Sequence, residues 1–393
     1  MKTFFENKVL VIGADHHNTL AIVRCLGANG CDIKVLIHGK VDCNEESKVS
    51  HSRYARGKVE SCTENSQEII EWLLRNEPVG KPAIVFPCSD FAAMVVDSAG
   101  ELWSRNFIMH GFRGTPGKTT ILMDKFEQKK FADKYGFPMA YTWTIACGVD
   151  DIPEDMIYPC IVKPKLSAMG IKSDIRICET KALLEETLKS FAAKGYSEVI
   201  VQQFLRKLYE ECAYGCIIEA EPCFCGGIVK KIRENPPEGG STSYARFIGE
   251  QAFQTSLAME ILRVLYDEGY RGMFDIELFV CDDKVYLNEI NFRHSGNGYA
   301  LLSNKVPAPL YYCIDALGMS LPSRAKTVVS KCTYHMDEIS DIVHLIKRRI
   351  SVWEWLKCVI QTKAFAKICL KDISGSVVWF APLVKRICKK LLK

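Results

Sequence analysis

Short apolar runs alternate along this chain with stretches in which apolar residues return every three or four positions, the two signatures of strand and amphipathic helix. Val9-Leu-Val-Ile is the first run and ends at Gly13; Leu20, Val23, Leu26 and Ala28 then give helical spacing from Asn18 to Asn29, closed by Gly30. Ile33 to His38 is the next run, with shorter ones at Lys58 to Val59 and Ala83 to Phe86 and a helical segment from Phe91 to Ser98. Strand, glycine turn, helix and strand in this order predict a doubly wound parallel α/β domain.

The pattern changes after Gly111-Phe-Arg-Gly-Thr-Pro-Gly117, a junction by its glycine and proline content. Thr119 to Tyr135 reads as one helix. Cys160 to Lys165, Ser173 to Glu179 and Glu198 to Phe204 read as strands, with a helix from Lys181 to Lys194. Gly272 to Asn291 predicts a β-hairpin, Met273 to Cys281 and Val285 to Ile290 joined around Asp282 and Asp283. Alternation puts Phe274, Ile276, Leu278 and Val280 on one face, Asp275 and Glu277 on the other, and gives Glu289 and Asn291 a shared face. Such a set of hard oxygens suits Mg²⁺, which keeps phosphate oxygens as partners; a solvated sheet face is the competing reading.

Other residues bear on chemistry. Lys163 lies inside an apolar strand, where burial is costly unless an anion is met, and beside a small-residue turn, Ser167-Ala-Met-Gly170. Pro87-Cys-Ser-Asp90 reads equally as a crevice segment and as a helix cap. Lys230-Lys-Ile-Arg233 followed by Pro236-Pro-Glu-Gly-Gly-Ser predicts a lid over phosphates, with Arg233 favoured for contact and Lys230 and Lys231 read as solvated. His16 and His17 read as surface residues, and His294-Ser-Gly-Asn-Gly298 as a loop for a second substrate or a plain turn.

Composition narrows the classes. With 48% apolar and 25% charged residues in 393, the chain is a globular protein of two or three domains. Five basic residues in the last nine account for more than the net +4, so no general basic field points to nucleic acid. The 18 cysteines form no CxxC or Cys/His zinc pattern and predict free thiols in a reducing cytoplasm. No signal-peptide core and no run of membrane-spanning length is evident.

In this order the motifs resemble the ATP-grasp superfamily, in its carboxylate-amine ligase branch, similar to D-aspartate ligases and carbamoyl-phosphate-synthase-like proteins. The resemblance rests on Asp124-Lys125, Ile161-Val-Lys-Pro, Val199-Ile-Val-Gln-Gln-Phe-Leu205, Glu211-Cys-Ala-Tyr, Phe274-Asp-Ile-Glu277 and Asn288-Glu-Ile-Asn-Phe-Arg293, over residues 8 to 320. It implies an α/β and α+β multidomain chain: a pre-ATP-grasp domain at 1–115, a small subdomain with a phosphate loop at 116–200, a large subdomain with the metal site at 201–325 and a small C-terminal extension at 326–393.

The resemblance also implies roles. Lys125, Lys163 and Gly170 would meet nucleotide phosphates; Gln202, Gln203, Phe204 and Leu205 would hold adenine; Glu211 would accept the ribose hydroxyls, with Glu210 competing. Glu277, Glu289 and Asn291 would bind Mg²⁺ (Mn²⁺ replacing it), with Asp275 in reserve. Arg293 would face the acyl phosphate or the substrate carboxylate; Arg233, from the lid segment, is the other catalytic candidate. The single glycine of the phosphate turn and the glutamines at 202 and 203 depart from the family pattern. The implied activity is ATP-dependent ligation of a small carboxylate to an amine through an acyl phosphate. The alternatives are a carbamoyl-phosphate or carboxylase-type reaction on bicarbonate and a catalytically silent nucleotide-binding protein.

Beyond Pro322 the sequence predicts a strand from Val328 to His335, a helix from Ser351 to Ile360 and a basic amphipathic helix from Pro382 to Lys393. That last helix either docks on the body or touches an anionic membrane. A homodimer is a further expectation, and no nucleic-acid partner is expected.

Overall fold

The computed structural model describes residues 4–40, 44, 46–148, 151–164, 175–237 and 239–382. Its first layer system follows from the early apolar runs. Strands β1 (Lys8–Ala14), β2 (Asp32–His38), β3 (Val59–Ser61), β4 (Ala83–Pro87) and β5 (Phe107–Ile108) make a parallel sheet in the order β3-β2-β1-β4-β5. Helices α1 (His17–Ala28), α2 (Ser66–Arg75) and α3 (Asp90–Ser98) connect them. Val9 and Val11 enter one apolar core and Leu10 and Ile12 another, so β1 is covered on both faces as a doubly wound sheet requires. The strand order reverses between β1 and β4, and a crevice opens at their carboxyl ends.

After β6 (Gly111–Phe112) the single helix predicted for 119–135 is two, α4 (Lys118–Leu122) and α5 (Lys125–Tyr135). The cause is Asp124, whose carboxylate accepts the amides of Phe126 and Glu127 and caps α5. Strands β7 (Thr142–Ala146), β8 (Cys160–Pro164), β9 (Arg176–Cys178) and β10 (Glu198–Gln203) form a second sheet in the order β7-β10-β8-β9, with α6 (Lys181–Ala193) between β9 and β10 in sequence. The turn with Gly170 lies outside the described residues.

The third sheet contains β11 (Tyr209–Ile217), β12 (Phe224–Asn235), β13 (Ser241–Phe247), β14 (Tyr270–Val280) and β15 (Val285–Asn291). Helices α7 (Glu250–Gln254) and α8 (Leu257–Asp267) lie between β13 and β14 in sequence. Phe274, Ile276 and Leu278 are fully buried in one core with Met259, Ile261, Leu262 and Leu265 of α8. Each such side chain contributes roughly 1.5–3 kcal/mol. A one-residue slip of β14 would turn all of them outward, so the apolar face fixes the register.

The chain continues through α9 (Tyr299–Ser303), α10 (Ala308–Ala316), β16 (Tyr334–Met336), α11 (Glu338–Ile346), α12 (Val352–Gln361), β17 (Thr362–Phe365) and α13 (Ile373–Val377). The strand expected from Val328 is shorter, with only an isolated bridge to Gly226 at that residue. β16 and β17 complete the third sheet, order β15-β14-β11-β12-β13-β16-β17, with β6 also on β14. Residues 383–393, the basic end, lie outside the described residues. Among those described, no helix is long and apolar enough to cross a membrane, and the cysteines are free thiols.

One buried ion pair ties the last segment to the first domain. Asp372, fully buried, accepts from Arg24 Nε at 2.8 Å, Ser52 Oγ at 2.9 Å and the Arg53 amide at 2.9 Å. Removing one partner of such a pair strands a buried charge, at about 3–5 kcal/mol. Asp372→Ala is therefore expected to lower the unfolding free energy by about 3 kcal/mol or more in a denaturant titration. The double variant R24M/D372L should recover part of that loss, and a loss of only a few tenths from Asp372→Ala would show the pair to be dispensable.

Candidate active site

The second and third sheets, with the starts of α1 and α3 from the first domain, border one cavity of about 1220 Å³. On its floor the hairpin register places Glu277 opposite Glu289 and Asp275 opposite Asn291, so all four side chains share a face, with directly opposed Cβ atoms about 5 Å apart. A β-bulge follows Glu277, and the extra residue, Asn288, donates to Glu277 at 3.2 Å. Antiparallel pairing with β11 carries the row onward: Glu277 faces Cys212, and Glu210 sits beside Phe279.

Carboxylates so gathered in a dry setting resist ionisation. Burial raises the Glu277 carboxyl above its ordinary range, with Asp275 and Glu289 adding to the effect and Lys231 opposing it. Burial also raises Asp275, and Arg293 works against this. Asp275 Oδ1 is buried without a well-formed hydrogen bond, Ser295 being its polar neighbour.

Cations come from separate elements. Lys125, on the first turn of α5, reaches Glu289 at 2.8 Å. Its placement follows from buried Gln128 one turn on, which donates to the Ile290 carbonyl at 2.9 Å and accepts the Ile290 amide at 2.8 Å. Lys163 on β8 donates to Gln202 Oε1 at 2.8 Å, and Gln202 in turn donates to Thr142 Oγ1 at 2.8 Å. Burial, with Lys125 nearby, lowers the Lys163 amine to about 8. Glu210 pairs with both Lys207 and Lys231; burial alone would raise its carboxyl, and these two cations outweigh it.

Arg293 is the joint between layers. It reaches Asp90 at 2.9 Å, Asp275 at 3.2 Å and Asn291 Oδ1 at 3.2 Å. Burial disfavours its charge, but Asp90 and Asp275 more than offset that and raise its pKa. Asp90 opens α3 directly after Ser89, whose hydroxyl accepts the Ala92 amide at 3.1 Å; the segment is thus both helix cap and crevice wall. His16, His17, Asn18, Gly296, Asn297, Asp337 and Ser340 line the same cavity.

Of the residues named from sequence, Lys125, Lys163, Gln202, Gln203, Phe204, Leu205, Glu277, Glu289, Asn291 and Arg293 line this cavity, as does Asp275. Two do not. Glu211 points to the other face of β11: the strand begins at Tyr209, so Glu210 and Glu211 both lie within it on opposite faces, and Glu210 takes the cavity side. Arg233 is turned away by the register shifts on either side of it in β12; it pairs with Asp341 at 2.9 and 2.8 Å and covers Tyr244 at 4.4 Å. Gln202 lines the cavity but spends its side-chain amide on Lys163 and Thr142. Lys231, read from sequence as solvated, is a cavity residue with little contact with solvent, and His17 is buried. Like Lys163, Lys231 is a lysine within a strand, and that is the signal by which it could have been found.

Among the described residues, no three His, Cys, Asp or Glu side chains form a ready-made metal cage. Two carboxylates, an amide and an unsatisfied carboxylate oxygen do fit a Mg²⁺ whose remaining positions are filled by phosphate and water.

Known proteins resemble this chain. Formate-dependent phosphoribosylglycinamide formyltransferase of a Nitratiruptor species is 25% identical over 251 residues, 60% of this chain and 58% of that protein. D-alanine--D-alanine ligase of Campylobacter lari is 26% identical over 211 residues, 47% of this chain and 60% of the enzyme. The chain therefore spans about three fifths of the length of these curated relatives. The crystal structure of carboxyaminoimidazole ribonucleotide synthase from Aspergillus clavatus complexed with ATP superposes with a TM-score of 0.63 at 16% identity, over 84% of this chain and 81% of that one. No protein-family model matches the chain.

The depressed Lys163 amine gives a direct test. In competitive labelling with acetic anhydride read by mass spectrometry, its acylation is expected to rise through about pH 8. Ordinary lysines titrate near 10.4. A Lys163 midpoint among the ordinary lysines would remove the argument that this amine is held in a dry cationic pocket.

Proposed function

We propose, from the ATP-grasp fold that this chain shares with its structural neighbours, that it is an ATP- and Mg²⁺-dependent ligase joining a carboxylate to an amine. The observation that carries the reading is the register of β14 and β15, which puts Glu277 against Glu289 and Asp275 against Asn291 beneath a ring of lysines and Arg293.

A carboxylate is a poor electrophile. In the proposed reaction its oxygen attacks the γ-phosphorus of ATP, ADP leaves, and the resulting acyl phosphate is attacked at carbon by an amine as phosphate departs. Phosphoryl transfer of this kind needs positioning and charge neutralisation, not a side-chain nucleophile. Lys125, Lys163 and Lys231 are set to meet phosphate oxygens, and Arg293, fixed by Asp90 and Asn291, to meet the acyl phosphate. Glu277, Glu289 and Asn291 would hold Mg²⁺, which supplies charge neutralisation across the phosphates. The segment from Gln203 to Leu205 would take the adenine, and Glu210, in place of Glu211, the ribose hydroxyls. The tip of the β12–β13 hairpin, from Asn235 to Thr242 in its described part, lines the cavity and suits a cover that excludes water.

The test is a screen of amino acids, small carboxylates and bicarbonate for substrate-dependent ADP release. Bicarbonate as the sole effective carboxylate would favour a carboxylase-type reaction. With the best substrate pair, Glu289→Ala is expected to lower kcat by at least about a hundredfold, the scale on which transition-state charge stabilisers act. Arg233→Lys should leave kcat within about twofold, since Arg233 faces Asp341. Undiminished turnover in Glu289→Ala would remove the hairpin from the chemistry.

Nucleotide binding carries its own pH signature. Lys163 must be protonated to attract phosphate, and its amine titrates at about 8 in the free protein. Affinity for ADP should therefore weaken as pH rises through that value, and Lys163→Arg, which stays charged, should flatten the profile. A wild-type ADP affinity that does not change across this range would contradict the role assigned to Lys163.

A further inference from the structure

We propose that α12 and the turn before it form a docking surface for an anionic lipid bilayer. Among the described α-helices, α12 is the one with no buried residue, although most of its side chains are apolar. Val352, Leu356 and Ile360 follow one another at four-residue steps with Trp353 beside them, 55%, 39%, 83% and 82% exposed. Trp355 and Val359 are half-buried, and Cys358 receives Arg233 at 3.6 Å, so that side of the helix meets the protein. The apolar strip points away from it. Leaving such side chains in water forfeits their transfer free energy, and patches of this kind mark contact surfaces.

Charge selects the partner. Ile346, 61% exposed, begins a turn in which Lys347, Arg348 and Arg349 are all exposed, and Lys357 and Lys363 are exposed further on. Against these five, residues 346 to 363 hold one acid, Glu354, a net +4 that equals the charge of the entire chain. Arg348 adopts a left-handed backbone, φ 53°, at a helix end where glycine would cost less. An apolar strip with tryptophan, bordered by basic residues, matches an interfacial helix on negatively charged headgroups.

The experiment is sedimentation of the full chain with phosphatidylcholine vesicles, with and without phosphatidylglycerol. Binding is expected only with the anionic lipid and should fall with salt. Trp353→Ala with Ile360→Ala should lower the partition at least about tenfold, and Lys347, Arg348 and Arg349 to Gln about a hundredfold. All five positions are exposed, so thermal unfolding should be unchanged, which separates lost docking from lost folding. Equal binding to neutral vesicles or no binding at all would overturn the proposal. So would loss that follows only substitution of Lys385, Arg386, Lys389, Lys390 and Lys393. A dimer in light scattering that is broken by Trp353→Ala would assign the strip to a second copy instead.

Discussion

The structure turns on the cost of holding four carboxylates on one enclosed side of a sheet. Two like charges about 5 Å apart repel by roughly 3 kcal/mol even at an effective dielectric of 20, and here Asp275, Glu277, Glu289 and Glu210 share a floor. The arrangement persists because cations reach it from elsewhere in the chain. Lys125 comes from α5, Lys163 from the second sheet, Lys231 from β12 and Arg293 from the turn after β15. Each rides on an element whose own packing is apolar, so the charges are fixed by cores they do not belong to.

That division explains how the layers cooperate. The apolar face of β14 sets the register, the register aligns the acids, and Gln128 bracketing the Ile290 peptide sets Lys125 against Glu289. Arg293 then couples the sheet to the first domain through Asp90, and Asp372 couples the last segment back through Arg24. An interior with this many opposed charges has little slack, because moving one group leaves another uncompensated. Under the proposed function the same rigidity would serve as preorganisation, with cations already held beside the place where phosphate charge would collect.

The parallel sheet, the hairpin and its two faces were legible in sequence, because strand alternation and glycine turns are local. The choice between Glu210 and Glu211 was not. It depends on where β11 begins, and boundaries are the weakest part of any periodicity argument. Arg233 failed for a related reason: a bulge in β12 has no sequence mark, yet it separates residues that ideal alternation would keep together. The break before α5 was readable in principle, since an aspartate two residues before Phe126 is an ordinary cap. The pairing of Asp90 with Arg293, the burial of His17 and the joining of β16 and β17 to the third sheet could not be read, because they arise from contacts between distant positions.

The same logic accounts for a shared fold at low identity. A core that asks only for apolar side chains of suitable volume accepts wide substitution, so 16% identity is compatible with a TM-score of 0.63. What the site asks for is narrower: the phase of β14, at least one acid in each of the two cross-strand pairs, and cations on four neighbouring elements. The crevice beyond Arg293 is under no such constraint. Its walls come from the starts of α1 and α3, from Gly296 and Asn297, and from Asp337 and Ser340 at the start of α11, loop or helix-start positions that can change without disturbing a core. On the proposed function, nucleotide chemistry and substrate choice would be written in different parts of the chain, and divergence in the second would leave the first intact.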